Sequence, residues 1–294
     1  SSGMAAIVGL LMAKLNAGDE VIFFDECYHR SREFCAKHLS RFGVKTVQVR
    51  ACDYEAMEAA ITPRTRLVAL PSCNYLSGLR LPIDEIGALL KDRGILFCLD
   101  AIQTLGAVPT STRHVDFLSA DSHKWLLGPL AAGIVWIRKE HFSLVHPSLI
   151  GAWNIHSPDF IAQEQMIFEE TARRYEPGAM NLLGIVGMQA AMRMLLDIGI
   201  DQIHSRLLRL RGILAAELAT KGYRSLDGNQ TEALLTGIVS VTHPDKDLKI
   251  LGKKLEENKI YLSLRHLRDG TSVLRFSPHC YNTESEIHKV LALL

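Results

Sequence analysis

The 294-residue sequence lacks the features that mark several large classes of protein. No apolar run approaches the roughly 18 residues that a membrane-spanning helix needs. The formal net charge is only +1 at pH 7, which gives no electrostatic basis for binding nucleic acid or an anionic membrane. We find no internal repeat and no low-complexity segment. These absences indicate a globular chain whose partners are small molecules or other proteins.

Cysteine is scarce and scattered. The six cysteines form no CxxC pair and show no spacing typical of a metal site. In an α/β chain this distribution is typical of reduced thiols, so we predict a cytoplasmic protein without structural disulfides or a metal centre. The sequence also has no G-x-G-x-x-G fingerprint after its first apolar run, which disfavours an NAD-binding domain.

Short apolar runs alternate with helical patterns through the first half of the chain. Several runs are apolar at nearly every position, as expected when helices cover both faces of a parallel sheet. This alternation predicts a doubly wound, mostly parallel α/β domain over residues 1–225. A βαββ pattern then predicts a smaller α+β domain over residues 226–294. The predicted strands of the large domain are 20–24, 45–49, 66–70, 95–99, 115–119 and 133–137.

Two of the predicted strands lead into residues that carry chemistry. The apolar run 95–99 ends in Asp100, and the next run leads through Asp-Ser-His to Lys124, followed by Trp-Leu-Leu-Gly-Pro. A carboxylate for a pyridinium nitrogen and a lysine amine for a Schiff base form the pairing that pyridoxal phosphate (PLP) chemistry needs. The alternatives are a helix N-cap for the aspartate and an exposed surface position for the lysine.

The sequence resembles the class V branch of the fold-type-I PLP enzymes, which includes cysteine desulfurases, isopenicillin N epimerase-like proteins and C–S lyases. The resemblance covers essentially the whole chain and implies PLP as cofactor, an amino acid as substrate, and a homodimer with shared active sites. It also implies a further N-terminal segment, which this chain apparently lacks. Four motifs in family order carry the resemblance: 93–107, 123–129, 175–181 and 274–283.

The resemblance assigns roles to residues around the cofactor ring. Lys124 is the Schiff-base lysine, and Asp100 pairs with the pyridine nitrogen. Gln103 hydrogen-bonds the phenolic oxygen, and Asn74 orients the ring. For Asn74 the alternative is an ordinary turn residue, and for Gln103 a polar residue in the first turn after a strand.

Two further positions would act on the substrate. His29 follows the first predicted strand and resembles the histidine that stacks on the ring; its imidazole could also move protons at the substrate α-carbon. Tyr28 is the competing stacking residue. Arg275 matches the arginine that binds the substrate α-carboxylate, a contact that suits a guanidinium. The alternative for Arg275 is a surface arginine on an edge strand.

The cofactor phosphate needs hydrogen-bond donors and the positive end of a helix. Ser2, Gly3 and Met4 begin the first helical pattern and provide both. Beside the lysine, the sequence has an aspartate where desulfurases have a serine. An aspartate is a poor phosphate ligand, so the phosphate contact there is assigned to Ser122 and His123.

A PLP site does not by itself fix which bond breaks. Cysteine desulfurases need a thiolate on a loop shortly before the carboxylate arginine, and the corresponding segment 262–271 has no cysteine. A persulfide-forming desulfurase is therefore disfavoured. β-Elimination of the C–S lyase type and epimerisation remain level, with class V transamination third. A catalytically impaired scaffold domain of a larger polypeptide is the alternative from another class.

Overall fold

The computed structural model describes residues 3–157, 161, 164–228 and 230–294. The chain divides into two compact units, each built from separate stretches of sequence. The first unit comprises Ser1–Pro71, Ile83–Ile102 and Ser111–Met192. The second unit comprises Ser72–Pro82, Gln103–Thr110 and Arg193–Leu294.

A six-stranded, mostly parallel sheet forms the centre of the first unit. Its strand order is β2-β1-β3-β4-β5-β6, with β6 antiparallel to β5 and the other neighbours parallel. This arrangement confirms the predicted doubly wound α/β fold. The strands are β1 (Glu20–Phe24), β2 (Lys45–Val49), β3 (Thr65–Pro71), β4 (Leu96–Asp100), β5 (Phe117–Asp121) and β6 (Gly133–Ile137).

Helices connect β1 to β2, β2 to β3 and β3 to β4, as the alternating pattern predicts. The connection between β1 and β2 is not one continuous α-helix: α2 (His29–Glu33) is followed by a π-helical turn, Phe34–His38, and a 3-10 turn, Leu39–Phe42. Gly43, with φ of 74°, ends this run. The α-helices are α1 (Gly3–Lys14), α2 (His29–Glu33), α3 (Tyr54–Ala59), α4 (Ile83–Asp92) and α5 (Leu182–Ile198).

The core of the first unit lies between α1 and the sheet. Every residue of β1 is buried, as expected for a central parallel strand covered on both faces. Leu11 of α1 is fully buried and belongs to one cluster with Val21, Leu67 and Phe117. The apolar continuity of the strands therefore holds the carboxyl ends of β4 and β5 in fixed positions.

The second unit has a four-stranded antiparallel sheet in the order β7-β8-β10-β9. Three helices bury their apolar sides against one face of it, with Leu214, Val239, Leu274 and Ile287 in the shared core. The predicted domain boundary at residue 225 falls inside this unit, because α6 packs against the C-terminal sheet and α8. The elements are α6 (Ile200–Thr220), β7 (Arg224–Ser225), β8 (Val239–Thr242), α7 (Leu248–Glu257), β9 (Ser263–His266), β10 (Ser272–Phe276) and α8 (Glu284–Leu293).

Among the described residues no single helix is long and apolar enough to cross a membrane. A bent pair, Leu182–Ile198 with Ile200–Thr220, has the length and composition when taken together.

Candidate active site

Asp100 and Lys124 follow neighbouring strands of the first unit's sheet. Asp100 is the last residue of β4 and is paired in register with Ser119 of β5. Lys124 lies in the turn three residues beyond the end of β5. Since β4 and β5 are parallel, both residues lie at the carboxyl edge of the sheet, where open α/β sheets bind their ligands.

The carboxyl group of Asp100 lies in an apolar environment. Burial raises its pKa, and the positive charge of Lys124 partly offsets this effect, while Asp121 adds to it. Its Oδ1 atom accepts a hydrogen bond of 3.1 Å from the backbone N–H of Ile102. A carboxylate in such a position is stabilised by a cation placed next to it.

Lys124 lies in a tight loop, and its side chain is exposed. The N–H of Gly128 donates to the carbonyl of Ser122 across 2.8 Å, closing the loop around the lysine. A Cβ atom at Gly128 would lie 2.7 Å from Cβ of Ser122, so the close approach requires glycine. Leu127 has a φ of 56°, in the left-handed region. Buried Trp125 and Leu126 anchor the loop.

Ser122 and His123, the predicted phosphate contacts beside Lys124, differ in burial and in hydrogen bonding. The Ser122 side chain is fully buried, and its hydroxyl donates to the carbonyl of Pro129 across 2.5 Å. That proton is therefore already used within the loop. His123 is exposed, with Nδ1 3.9 Å from a carboxylate oxygen of Asp121. The phosphate roles of Ser122 and His123 stay predictions.

The other predicted phosphate residues begin α1. Gly3 is the first residue of the helix, and Ser2 lies outside the described residues. Met4 is partly buried, and its sulfur accepts a hydrogen bond from the Ser31 hydroxyl. The phosphate roles of Ser2, Gly3 and Met4 also stay predictions.

His29 and Tyr28 begin the helix after β1, as the sequence indicates. His29 is the first residue of α2, and its exposed ring contacts the Tyr28 ring edge-on at 4.6 Å between centroids. Tyr28 and Asp100 line the same small cavity of about 40 Å³ in the first unit. Tyr28 and Asp100 therefore border one cavity, and the choice between the two rings stays open.

Three cysteines line this cavity as well, and sequence reasoning did not group them. Cys27, Cys35 and Cys98 come from three different elements of the first unit. Burial raises the pKa of Cys27 to about 11 and that of Cys35 to about 12. At neutral pH these thiols are therefore uncharged and act as small apolar side chains behind Asp100. In the sequence, the one signal for the burial of these cysteines is that they lie in or next to apolar runs.

Asn74 shapes a turn in the second unit. Its Oδ1 accepts hydrogen bonds of 2.9 Å from the N–H groups of both Leu76 and Ser77, which is the Asx-turn geometry favoured by asparagine. Gln103 belongs to the second unit too and is 6% exposed. Asn74 therefore acts as a turn residue in the structure, and the cofactor roles of both residues stay predictions.

Arg275 lies on β10, directly beside the turn that Asn74 shapes. Its Nη1 donates a hydrogen bond of 2.9 Å to the carbonyl of Tyr75. Burial lowers the pKa of Arg275, and the charge of Arg265 lowers it further. The structure therefore brings Asn74 and Arg275 together within the second unit, and Arg275 is a partly buried arginine rather than a surface one.

Comparison with known proteins identifies the family. The model of the class-V aminotransferase family matches residues 1–290. The chain belongs to this family. Among its relatives is a probable cysteine desulfurase of Pyrococcus abyssi, 28% identical over 245 residues, which are 78% of this chain. The aligned region is 59% of that relative, so the chain spans less than two thirds of its length.

Two solved structures share the fold. A cysteine desulfurase from Thermococcus onnurineus superposes with a TM-score of 0.87 at 23% identity, covering 99% of this chain and 76% of that one. The cystine C–S lyase C-DES, solved with its product cysteine persulfide, superposes with a TM-score of 0.86 at 23% identity over 99% and 78% of the chains. The fold-type-I prediction is confirmed.

Proposed function

We propose that this class-V aminotransferase family member is a PLP-dependent enzyme that acts at the α or β carbon of an amino acid, with C–S bond cleavage as the leading reaction. The observation that carries the proposal is the pairing of Asp100 and Lys124 at one sheet edge. Bound PLP would supply an electron sink for bonds at the substrate α-carbon. The names of the relatives, cysteine desulfurases and a cystine C–S lyase, support the same chemistry.

The residues of the first unit fit this cofactor. A protonated pyridine nitrogen would place a further positive charge beside Asp100 and offset the effect of its burial. Lys124 would hold the cofactor covalently through its amine, which reacts only when deprotonated. The field of Asp100 acts on Lys124 in return, because the interaction between the two charges is mutual. His29, or Tyr28 in its place, would contact the ring, and His29 could move the α-proton.

The β9–β10 connection in the second unit favours C–S bond cleavage or epimerisation over formation of a persulfide on the enzyme. β9 and β10 are joined by a tight hairpin, in which Leu267 N–H donates to the Thr271 carbonyl across 2.9 Å. This connection is short and contains no cysteine, so it cannot carry the thiol that a persulfide-forming desulfurase needs. A lyase that releases sulfide or a thiol needs no such residue, and neither does an epimerase. Transamination is the third candidate.

The proposal also includes a homodimer and a cytoplasmic location. Leu182, Leu183 and Val186 at the start of α5 are 65%, 88% and 64% exposed. Exposed apolar side chains grouped in this way are typical of protein–protein interfaces. The described cysteines are all free, which is compatible with a reducing compartment.

The test is spectroscopic and is made on the complete protein after incubation with PLP. We expect visible absorbance that disappears on borohydride reduction, with the added mass on the peptide that contains Lys124. Lys124→Ala should abolish both signals, while Lys139→Ala, which removes a lysine beyond β6, should leave them unchanged. Visible absorbance retained in Lys124→Ala, or reduction onto another lysine, would contradict the assignment.

The reaction type is tested with substrates once the cofactor is bound. We expect pyruvate and ammonia, together with sulfide from cysteine or cysteine persulfide from cystine, if the enzyme eliminates at the β-carbon. Exchange of the α-proton with inversion, and no pyruvate, would identify an epimerase instead. Oxo-acid formed together with the aminated cofactor would identify a transaminase.

A further inference from the structure

Two arginines share one face of the β9–β10 hairpin in the second unit. Arg265 is opposite Val273 in the antiparallel register, and Arg275 is opposite Ser263. Opposite residues point to the same face, and side chains alternate along a strand, so Arg265 and Arg275 are diagonal neighbours. Long side chains at diagonal positions are within reach of each other.

The other face of the hairpin serves the core. Leu264 and Leu274 are paired with each other and belong to the apolar cluster of the second unit. The face with the arginines also carries Val273, which is fully buried; Arg265 is exposed on this face and Arg275 is partly buried. The hairpin thus presents a positive pair at a fixed spacing, supported from behind by a packed core.

No acidic side chain neutralises this pair among the described residues. Neither Arg265 nor Arg275 forms a salt bridge in the part of the chain that the structure describes. After burial, the charge of Arg265 is the next cause that lowers the pKa of Arg275. Two like charges held together are destabilising unless an anion binds between or beside them.

The hydrogen-bonding capacity of Arg275 is also incompletely used. One N–H of its guanidinium donates to Tyr75, but Nε is buried and has no hydrogen-bond partner among the described residues. Arg265 makes a 3.3 Å contact with the carbonyl of its neighbour Leu264. Buried donors without a partner are costly, and a carboxylate accepts two N–H groups of a guanidinium at once.

We propose that Arg265 and Arg275 together bind a substrate with two anionic groups. The α-carboxylate would bind Arg275, and an anionic end of the side chain, a carboxylate, sulfinate or sulfonate, would bind Arg265. The preferred substrates would then be amino acids with an acidic side chain. This inference rests on the proposed function for the role of Arg275, and it adds Arg265 as the residue that selects the side chain.

Anion binding tests this inference without catalysis. Succinate carries two carboxylates and butyrate one, and neither has an amine that could react with the cofactor. We expect calorimetric titration of the PLP-loaded protein to show succinate binding at least about tenfold more tightly than butyrate, because a charge-assisted contact is added. Arg265→Gln should remove this difference and change butyrate affinity by less than about twofold.

Arg268→Gln is the matched control, because it removes an exposed arginine three residues further along the same hairpin. It should keep the preference for succinate. Equal affinity for the two acids in the unmodified protein, or a preference that survives Arg265→Gln, would overturn the inference. Loss of the preference in both variants would show a general effect of charge and would overturn it as well.

The same titrations separate this inference from the proposed function. If the protein binds PLP but binds succinate and butyrate with equal affinity, the proposed function stands and the arginine pair is not a selective site. If the protein shows no visible cofactor absorbance but binds succinate more tightly than butyrate, the arginine pair stands as a selective site and the proposed function is wrong. The cofactor-free protein is therefore titrated in parallel.

Discussion

Asp100 gives the clearest prediction for a single residue. Its raised pKa means that the folded protein holds a proton at this position more tightly than the unfolded chain does. The stability cost therefore grows as pH rises above the ordinary aspartate pKa of about 3.9, and it disappears below that pH. Asp100→Asn should make the cofactor-free protein more stable at pH 7, by about 1.4 kcal/mol per pKa unit.

Urea unfolding of the cofactor-free protein at pH 7 and near pH 4 measures this effect. Asparagine keeps the acceptor for the Ile102 N–H, so the local hydrogen bond is preserved. Asp245→Asn, a change at an exposed position, controls for the loss of one negative charge. An Asp100→Asn protein that is less stable than the parent at pH 7 would show that the carboxylate is favourably solvated.

At the scale of residues, the order of motifs selected Lys124, Asp100 and Arg275, whose roles stay predictions. In the structure Asp100 and Arg275 are partly buried, while Lys124 is exposed. The order of motifs was not sufficient to foresee that the Ser122 hydroxyl is used by Pro129. That contact depends on a loop closing back on itself, which no local periodicity records.

At the scale of elements, the loop around Lys124 depends on one glycine. A Cβ atom at Gly128 would meet Ser122 at 2.7 Å and backbone of Met188 at 3.4 Å. Gly128→Ala should therefore destabilise the protein by about 1–3 kcal/mol, as overpacking does. It should also slow the uptake of PLP by Lys124, because the loop must shift.

Gly9→Ala is the matched control for this prediction. Gly9 lies within α1, and a Cβ there would meet nothing within 4 Å. Alanine should therefore stabilise the helix by up to about 1 kcal/mol. Denaturant unfolding of both variants gives the comparison, and equal stability of Gly128→Ala and the parent would mean that the loop has room to adjust.

Strand positions could be predicted to within a few residues, and the errors have local causes. In the predicted βαββ pattern, the apolar run that begins at Ile260 becomes a strand only from Ser263. Ile260 N–H instead bonds Leu255 O at the end of α7, next to Lys259 with a φ of 59°. Ile260 is therefore hydrogen-bonded to the end of α7, although its apolar side chain indicated a strand. The apolar pattern gives the type of an element, whereas capping hydrogen bonds decide where it starts.

At the scale of the whole molecule, the division into units was beyond the reach of sequence patterns. The second unit includes Ser72–Pro82 and Gln103–Thr110, two short stretches far from residue 225 in sequence. In that unit the Ser240 hydroxyl bonds the Leu76 carbonyl, and the Thr236 hydroxyl bonds the Gly78 carbonyl. Such contacts join residues more than 150 positions apart, so composition along the chain does not reveal them.

The last prediction concerns assembly. Leu182, Leu183 and Val186 expose a group of apolar side chains at the start of α5, and a homodimer would remove them from water, gaining about 25 cal/mol per Å² buried. We expect light scattering to give twice the 32.7 kDa chain mass.

Leu183→Glu combined with Val186→Glu should shift the protein to monomer without unfolding it, because glutamates are favourable near a helix N-terminus. Ile250→Glu, which changes an exposed apolar residue of α7, should leave the dimer intact. A monomer in the unmodified protein, or a dimer that persists in the double variant, would contradict a homodimer formed through α5.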